Sequence, residues 1–175
     1  MATERILMDS KRIIKWVVVV AAIITLGYGW VFLARQGEQS RRGVEFAIQG
    51  RQHIAVGAAH PSYNSNPPTS GWHYAEPASW GMYQTELPDE QVIHNLEHGG
   101  IWISYKDLDT DTTAKLEDLA RRFPNSVIIT PRVSNDSKIA LASWGRLEKL
   151  EIFDEAEILA FIKTNKNKSP EPIAR

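Results

Sequence analysis

The sequence predicts an α+β protein: a single N-terminal transmembrane helix followed by one small domain with an antiparallel sheet and a long ordered loop. Three observations support this prediction. An uncharged apolar run covers residues 16–34, a loop-like segment rich in proline and aromatic residues follows, and strand and helix patterns alternate from residue 88 onward. About 140 residues follow the apolar run, which is enough for one domain and too few for two.

The apolar run begins at Trp16 and ends at Ala34, so it holds 19 residues without a charge. At about 1.5 Å per residue, a helix of this length covers roughly 28 Å, close to the hydrocarbon thickness of a bilayer. It is apolar on all sides, whereas a buried core helix usually keeps a polar stripe. No small-x-small cleavage pattern follows it, so we interpret it as an uncleaved signal-anchor rather than a secretory signal.

The orientation of this single span is not decided by charge, because basic residues are equally frequent on its two sides. A short basic N-terminus is the usual cytoplasmic end, and long downstream domains cross the membrane largely regardless of charge. We therefore expect residues 1–15 in the cytoplasm and the rest of the chain outside it, anchored in the cell membrane.

The part after the anchor divides into a linker at 35–43, a domain at 44–165 and a flexible tail at 166–175. Strands are predicted at 44–48, 101–105, 127–130 and 138–144. Helices are predicted at 89–98, ending at the glycine pair, at 112–123 and from Asp154 to about residue 163. Residues 57–88 carry five prolines and are rich in aromatic side chains, which favours an ordered loop over a disordered linker.

Composition excludes two classes of function. The chain has no cysteine, so thiolate zinc sites and disulfides are excluded. The part outside the membrane has a net charge of about −3 and no basic face, so nucleic acid is not an expected partner.

The five histidines all fall between residues 53 and 98. His94 and His98 are four positions apart, so a helix would place both imidazoles on one face, close enough to share a metal ion. We predict His73 as a third ligand and His53 as a fourth. Imidazole ligands suit zinc, copper, iron and nickel, and we expect zinc or copper. Met82 could add a soft ligand that favours copper, but methionine more often fills core space.

Glu97 completes the order His-x-x-Glu-His, in which inverted zinc peptidases bind zinc through the histidines and use the glutamate on a water proton. Those enzymes need larger domains and a third, acidic ligand much further along the sequence. Here the only acidic residue at a comparable distance after the motif is Glu171, which falls in the predicted flexible tail. On a regular helix Glu97 stands nearly opposite His98. We therefore expect Glu97 to point away from the metal position and to bond to backbone or a neighbouring side chain.

Three segments of the chain have distinctive sequences: residues 63–73 read YNSNPPTSGWH, residues 94–100 read HNLEHGG, and residues 139–146 read IALASWGR. They resemble a largely bacterial family of membrane-anchored proteins, catalogued as domain of unknown function 3105. The resemblance covers about residues 44–165, with Trp72 where the family often has proline. It implies an N-terminal anchor and a domain outside the cytoplasm, and it brings no established reaction. The recurring histidines of the family correspond to His53, His73, His94 and His98.

Three functions remain open. The first is a membrane-anchored domain that binds a transition metal through the clustered histidines. The second is an accessory subunit of a larger membrane complex, which would dock through an exposed aromatic patch formed by Trp72, Tyr74, Trp80 and Tyr83. The third is a metal-dependent hydrolase with Glu97 as the base, so the sequence leaves open whether the protein is an enzyme.

Overall fold

The computed structural model describes residues 10–39 and 41–174, which belong to two compact units, one on each side of residue 40. The first unit is helix α1 (Ser10–Gln39). Its stretch Arg12–Arg35 has a mean hydropathy of 2.3, and all its side chains are exposed. The predicted apolar helix is therefore present and is long enough to cross a membrane. Residues 1–9 of the predicted cytoplasmic end lie outside the described part of the chain.

The second unit is a mixed sheet with helices on both faces. Its elements are β1 (Val44–Glu45), β2 (His53–Ile54), β3 (His73–Tyr74), β4 (Gly81–Met82), α2 (Asp89–Glu97), β5 (Ile101–Tyr105), α3 (Thr110–Arg122), β6 (Val127–Pro131), β7 (Ile139–Ser143), β8 (Arg146–Leu150) and α4 (Glu155–Asn165). The large sheet has the order β1-β8-β7-β5-β6-β4, and β2 pairs with β3 in a separate ladder. The α+β prediction is confirmed.

Most pairs of the large sheet are antiparallel, as predicted, but β6 runs parallel to both β5 and β4. The parallel pair arises because α3 carries the chain back between β5 and β6, and a helical crossover returns the next strand in the same direction. Helix α3 begins at Thr110, earlier than predicted, because the Asp109 side chain accepts a hydrogen bond from the Thr112 backbone N–H. Strand β8 was not predicted, since its sequence RLEKL is largely polar.

The sheet buries side chains on both faces, which fixes the position of α2. Along β5, Ile101 and Ile103 belong to a core that includes residues of α3 and α4, while Trp102 points to the opposite core. That second core contains Val92, Ile93 and Leu96 of α2, all fully buried. Helix α2 is thus fixed by one apolar face, and its other residues are available for a site.

The long loop is ordered, as predicted. Its residues 67–71 are all buried, beginning at a cis peptide bond between Asn66 and Pro67. The Thr69 carbonyl accepts a hydrogen bond from the Gly145 N–H at 3.1 Å, and the Ser70 hydroxyl accepts one from the Gln49 N–H at 3.1 Å. These bonds tie the loop to the turn between β7 and β8 and to the segment between β1 and β2, immediately before His73.

Residues 166–174, here called the C-terminal clasp, form hydrogen bonds to the domain, in the stretch where the sequence suggested a flexible tail. The Asn167 N–H donates to the Gly99 carbonyl at 2.9 Å, and the Asn167 side chain both accepts from and donates to the backbone of Ala174. Ala174 is only 5% exposed. The clasp is held by backbone hydrogen bonds, which leave no signature in a polar tail sequence.

Candidate metal centre

The C-terminal end of α2 supplies three side chains to a histidine cluster. The helix begins with Asp89 and Glu90 at its positive end, and its last turn carries His94. Gly99 follows with a φ of +86°, a left-handed conformation that favours glycine and ends the helix. His94, Glu97 and His98 are thereby presented at one helix end.

Two loop segments bring further histidines to this helix end. Strand β2 pairs in parallel with β3, so that His53 lies directly opposite His73. The His73 N–H also donates to the Gln52 carbonyl at 3.1 Å. The β2–β3 ladder therefore fixes two imidazoles from segments about 20 positions apart in the sequence.

Ligand nitrogens of His53, His73 and His94 all lie within 4.8 Å of one another. Their ring centroids are 4.9, 5.0 and 5.1 Å apart in the three pairs. These three residues could hold a metal ion after a small inward movement, since bound imidazole nitrogens lie about 2.0–2.1 Å from zinc. The residues come from β2, β3 and α2.

Backbone carbonyls orient two of the rings. His94 Nδ1–H donates to the Tyr74 carbonyl at 2.7 Å, and His73 Nδ1–H donates to the Gly71 carbonyl at 2.8 Å. A neutral imidazole with Nδ1 protonated keeps a lone pair on Nε2. This is the arrangement in which ligating histidines are usually held by their surroundings.

The Nε2 atoms of these two rings each lie at hydrogen-bonding distance from another site residue. His94 Nε2 is 3.1 Å from His98 Nε2, and His73 Nε2 is 3.0 Å from Glu97 Oε2. Each contact can be bridged by a proton, as when His98 donates an Nε2–H to His94, or by a cation that both atoms bind. Two ligands bound to one ion at about 2.1 Å are about 3.0–3.4 Å apart for ordinary coordination angles, which matches both contacts.

The group that converges differs from the predicted order of ligands. The sequence predicted three main ligands, His73, His94 and His98, and a fourth, His53. In the structure the three imidazoles that lie closest together are those of His53, His73 and His94, and His98 contacts the group through His94. The i, i+4 spacing places His98 beside His94, while the β2–β3 ladder brings His53 to the opposite side of the cluster.

Glu97 points into the cluster, so the expectation that it faces away is wrong. Its side chain is 3% exposed, and its Oε2 lies 3.7 Å from His53 Nε2 in addition to the contact with His73. Glu97 is three positions after His94, hence on the same side of α2, and the cluster centre lies between α2 and β3 rather than beside His98. The expected bond to a neighbouring side chain is present, and the neighbour is His73.

Burial favours the neutral form of two imidazoles of the cluster, those of His73 and His98. Desolvation lowers the pKa of His73, although its hydrogen bond to Gly71 and the nearby Glu97 oppose the shift. Desolvation and the neighbouring His94 likewise lower the pKa of His98. Neutral imidazole is the form that binds metal, so the environment favours a ligand role over a role as a charged surface group.

Two charged side chains lie at the more exposed rim of the site. Arg51 approaches Glu97 Oε1 at 3.9 Å and Glu171 Oε1 at 3.5 Å. The second carboxylate oxygen of Glu171 lies 3.7 Å from His98 Nε2. Glu171 belongs to the C-terminal clasp and was not among the predicted site residues, because its polar surroundings in the sequence give no sign of folding.

Other residues singled out in the sequence lie elsewhere. His60 contacts the Pro61 carbonyl and Glu90, and Met82 packs against the core on the α3 side of the sheet. The aromatic residues of the expected docking patch are all half-buried, so the described structure does not show them as an exposed apolar surface: Trp72, Tyr74, Trp80 and Tyr83.

Comparison with known protein families gives a match. The family model described as Protein of unknown function (DUF3105) matches residues 57–175, which include His73, His94, His98 and Glu171 but begin just after His53. No curated protein and no solved structure matches the chain.

Proposed function

The chain belongs to the DUF3105 family, and we propose that it is a membrane-anchored domain, outside the cytoplasm, that binds one transition-metal ion through clustered histidines. The proposed ligands are the four imidazoles around the C-terminal end of α2: His53, His73, His94 and His98.

The observation that carries this proposal is the convergence of imidazole nitrogens: ligand atoms of His53, His73 and His94 all lie within 4.8 Å of one another. Beside them, His94 Nε2 lies 3.1 Å from His98 Nε2, and His73 Nε2 lies 3.0 Å from Glu97 Oε2. The Nδ1 atoms of His73 and His94 donate to backbone carbonyls, so their Nε2 atoms are the ones available to a shared cation. Zinc and Cu(II) both suit this donor set.

Metal analysis of the purified full-length protein in detergent tests the proposal. We expect about one equivalent of zinc or copper after loading and dialysis. The double substitution His94→Ala/His98→Ala should remove it, whereas His60→Ala should not, because His60 lies outside the cluster. Metal content that stays substoichiometric with added zinc or copper, or that is the same in both variants, would reject the proposal.

The location outside the cytoplasm can be tested by labelling, because the chain has no cysteine and any introduced thiol is unique. Glu151 is an exposed residue on the turn after β8, so Glu151→Cys should be modified by a membrane-impermeant maleimide on intact spheroplasts. Ala2→Cys should be modified only after lysis. The reverse pattern would place the domain in the cytoplasm.

A second candidate function, metal-dependent hydrolysis, is supported by the orientation of Glu97. A buried carboxylate beside the ligand nitrogens could take a proton from a metal-bound water. Glu97→Gln keeps the shape and removes the base. A metal-dependent activity on ester or peptide substrates that this variant abolishes, with metal content unchanged, would support hydrolysis. Equal activity in both proteins would leave Glu97 as a ligand or an orienting group.

A further inference from the structure

We propose that the C-terminal clasp supplies an additional ligand, Glu171, to the same ion, which is a divalent cation. This inference rests on the proposed function. It adds to the histidine cluster a carboxylate that lies 73 positions after His98 in the sequence.

The clasp holds the backbone of Glu171 against the end of α2. The Glu171 N–H donates to the Glu97 carbonyl at 3.1 Å, and the N–H groups of Ile173 and Ala174 both donate to the His98 carbonyl at 3.1 Å. The carbonyls that accept these bonds belong to two of the site residues themselves. The position of the clasp is therefore coupled to the geometry of the cluster.

The carboxylate of Glu171 extends along the rim of the site. Its Oε2 lies 3.7 Å from His98 Nε2, which is itself 3.1 Å from His94 Nε2. Two ligands of one ion lie about 3.0–3.4 Å apart, so the oxygen needs to move only about 0.5 Å. Glu171 is about half exposed, and a side chain with that freedom can make this movement.

The types of donor point to a divalent ion. The site holds two acidic side chains, Glu97 and Glu171, and one basic side chain, Arg51, so a cation is favoured over an anion. Carboxylate and imidazole ligands together are typical of divalent zinc, manganese, iron and copper. Cu(I) prefers sulfur, and Met82 packs in the core away from the site.

The buried and exposed sides of the site have separate roles. His73 and Glu97 form its floor, with side chains 0% and 3% exposed, whereas His53 and Glu171 are both about half exposed. An ion would approach from the rim, where Glu171 is the first anionic group that it meets. Glu171 also contacts Arg51, so a bound cation would replace Arg51 as the positive partner of the Glu171 carboxylate.

The test compares zinc affinity in the full-length wild-type protein and four variants in detergent, measured by competition with a chelator, and adds the visible spectrum of the cobalt(II) form. Glu171→Gln keeps the shape and removes the charge, so we expect zinc affinity to fall by about 10-fold or more and the cobalt spectrum to change. Arg51→Gln removes the ion pair between Arg51 and Glu171, and it also removes a positive charge that would repel the bound cation. Glu151→Gln is the matched control, an exposed carboxylate on the turn between β8 and α4.

The two rim substitutions separate a ligand from a merely structural group. If Glu171 binds the ion, Arg51→Gln leaves zinc affinity unchanged or raises it, and Glu171→Asp gives an intermediate affinity. If Glu171 acts only through Arg51, both substitutions weaken binding equally and leave the cobalt spectrum unchanged, which overturns the inference. Zinc affinity and a cobalt spectrum like wild type in Glu171→Gln also overturn it while the proposed function stands. No uptake by the wild-type protein would instead reject the proposed function.

Discussion

Replacing Gly99 with alanine should weaken both the domain and the hold of its C-terminal clasp. Gly99 has a φ of +86°, and a Cβ added there would lie 2.5 Å from Asn167 Oδ1 and 2.9 Å from Asn167 Cα. The second contact is with backbone, which cannot rotate away like a side chain. Gly99→Ala must therefore strain its own backbone and displace the clasp.

The expected cost follows from these two effects. An L-residue in left-handed backbone costs roughly 1–2 kcal/mol. Displacing Asn167 also breaks its N–H bond to the Gly99 carbonyl and its side-chain bond to the Ala174 N–H, each worth about 1 kcal/mol. We expect a loss of about 3 kcal/mol in the free energy of unfolding.

Gly57→Ala is the matched control, because Gly57 has a similar φ of +77° and, among the described residues, no atom lies within 4 Å of an added Cβ. It isolates the backbone strain, so we expect a loss of only about 1 kcal/mol. Urea unfolding followed by near-ultraviolet circular dichroism measures both variants. Hydrogen exchange at the Ile173 and Ala174 N–H groups reports the clasp, and only Gly99→Ala should speed it.

The reasoning would be refuted by one clear pattern. If Gly99→Ala and Gly57→Ala lose the same stability, and exchange in the clasp is as slow as in the wild-type protein, the close approach of Asn167 does not stabilise the domain. In that case the positive φ alone explains why glycine occupies position 99.

Two further predictions concern polar contacts away from the metal centre. Arg132→Met should lower the free energy of unfolding by about 3 kcal/mol. The Arg132 side chain is 7% exposed and pairs with both oxygens of Asp89, so the substitution would leave that partly buried carboxylate without its partner. Urea unfolding measures the loss, and a value below about 1 kcal/mol would contradict the prediction. The hydrogen bond to the Pro61 carbonyl, and then Glu90, raise the pKa of His60. Protonated His60 should therefore stabilise the folded domain slightly below about pH 6.5, and this stabilisation should be lost as the pH rises through the folded pKa. His60→Gln should abolish this pH dependence of the free energy of unfolding. The same pH dependence in the wild-type protein and the variant would disprove the assignment.

The regular elements were predictable where local pattern decides the structure. Strand β5 matches the predicted 101–105, and α2 begins and ends at the acidic turn and the glycine pair that indicated it. Strand β8 was not predicted, because its sequence is largely polar and it forms by pairing with β7, which the local sequence pattern does not reveal. The clasp was missed for the same reason, since its hydrogen bonds go to the backbone at Glu97–Gly99.

Within the site, the sequence indicated which residue types cluster but not how they face one another. The spacing of His94 and His98 correctly predicted adjacent imidazoles, because i, i+4 geometry is a property of any helix. The direction of Glu97 was wrongly predicted, because it depends on where the cluster centre lies relative to α2. That centre is set by His53 and His73, which arrive on the β2–β3 ladder.

The sequence by itself determined the apolar helix, the α+β class, the ordered loop and the four histidines, because each depends on composition or on short-range periodicity. Only the tertiary structure decided that His53 lies opposite His73, that Glu97 faces the cluster, and that Glu171 lies at its rim. These contacts join segments separated by 20 to more than 70 residues in the sequence. They depend on strand pairing and on backbone hydrogen bonds formed only when the whole domain is packed, so they are not encoded in any single stretch of the chain.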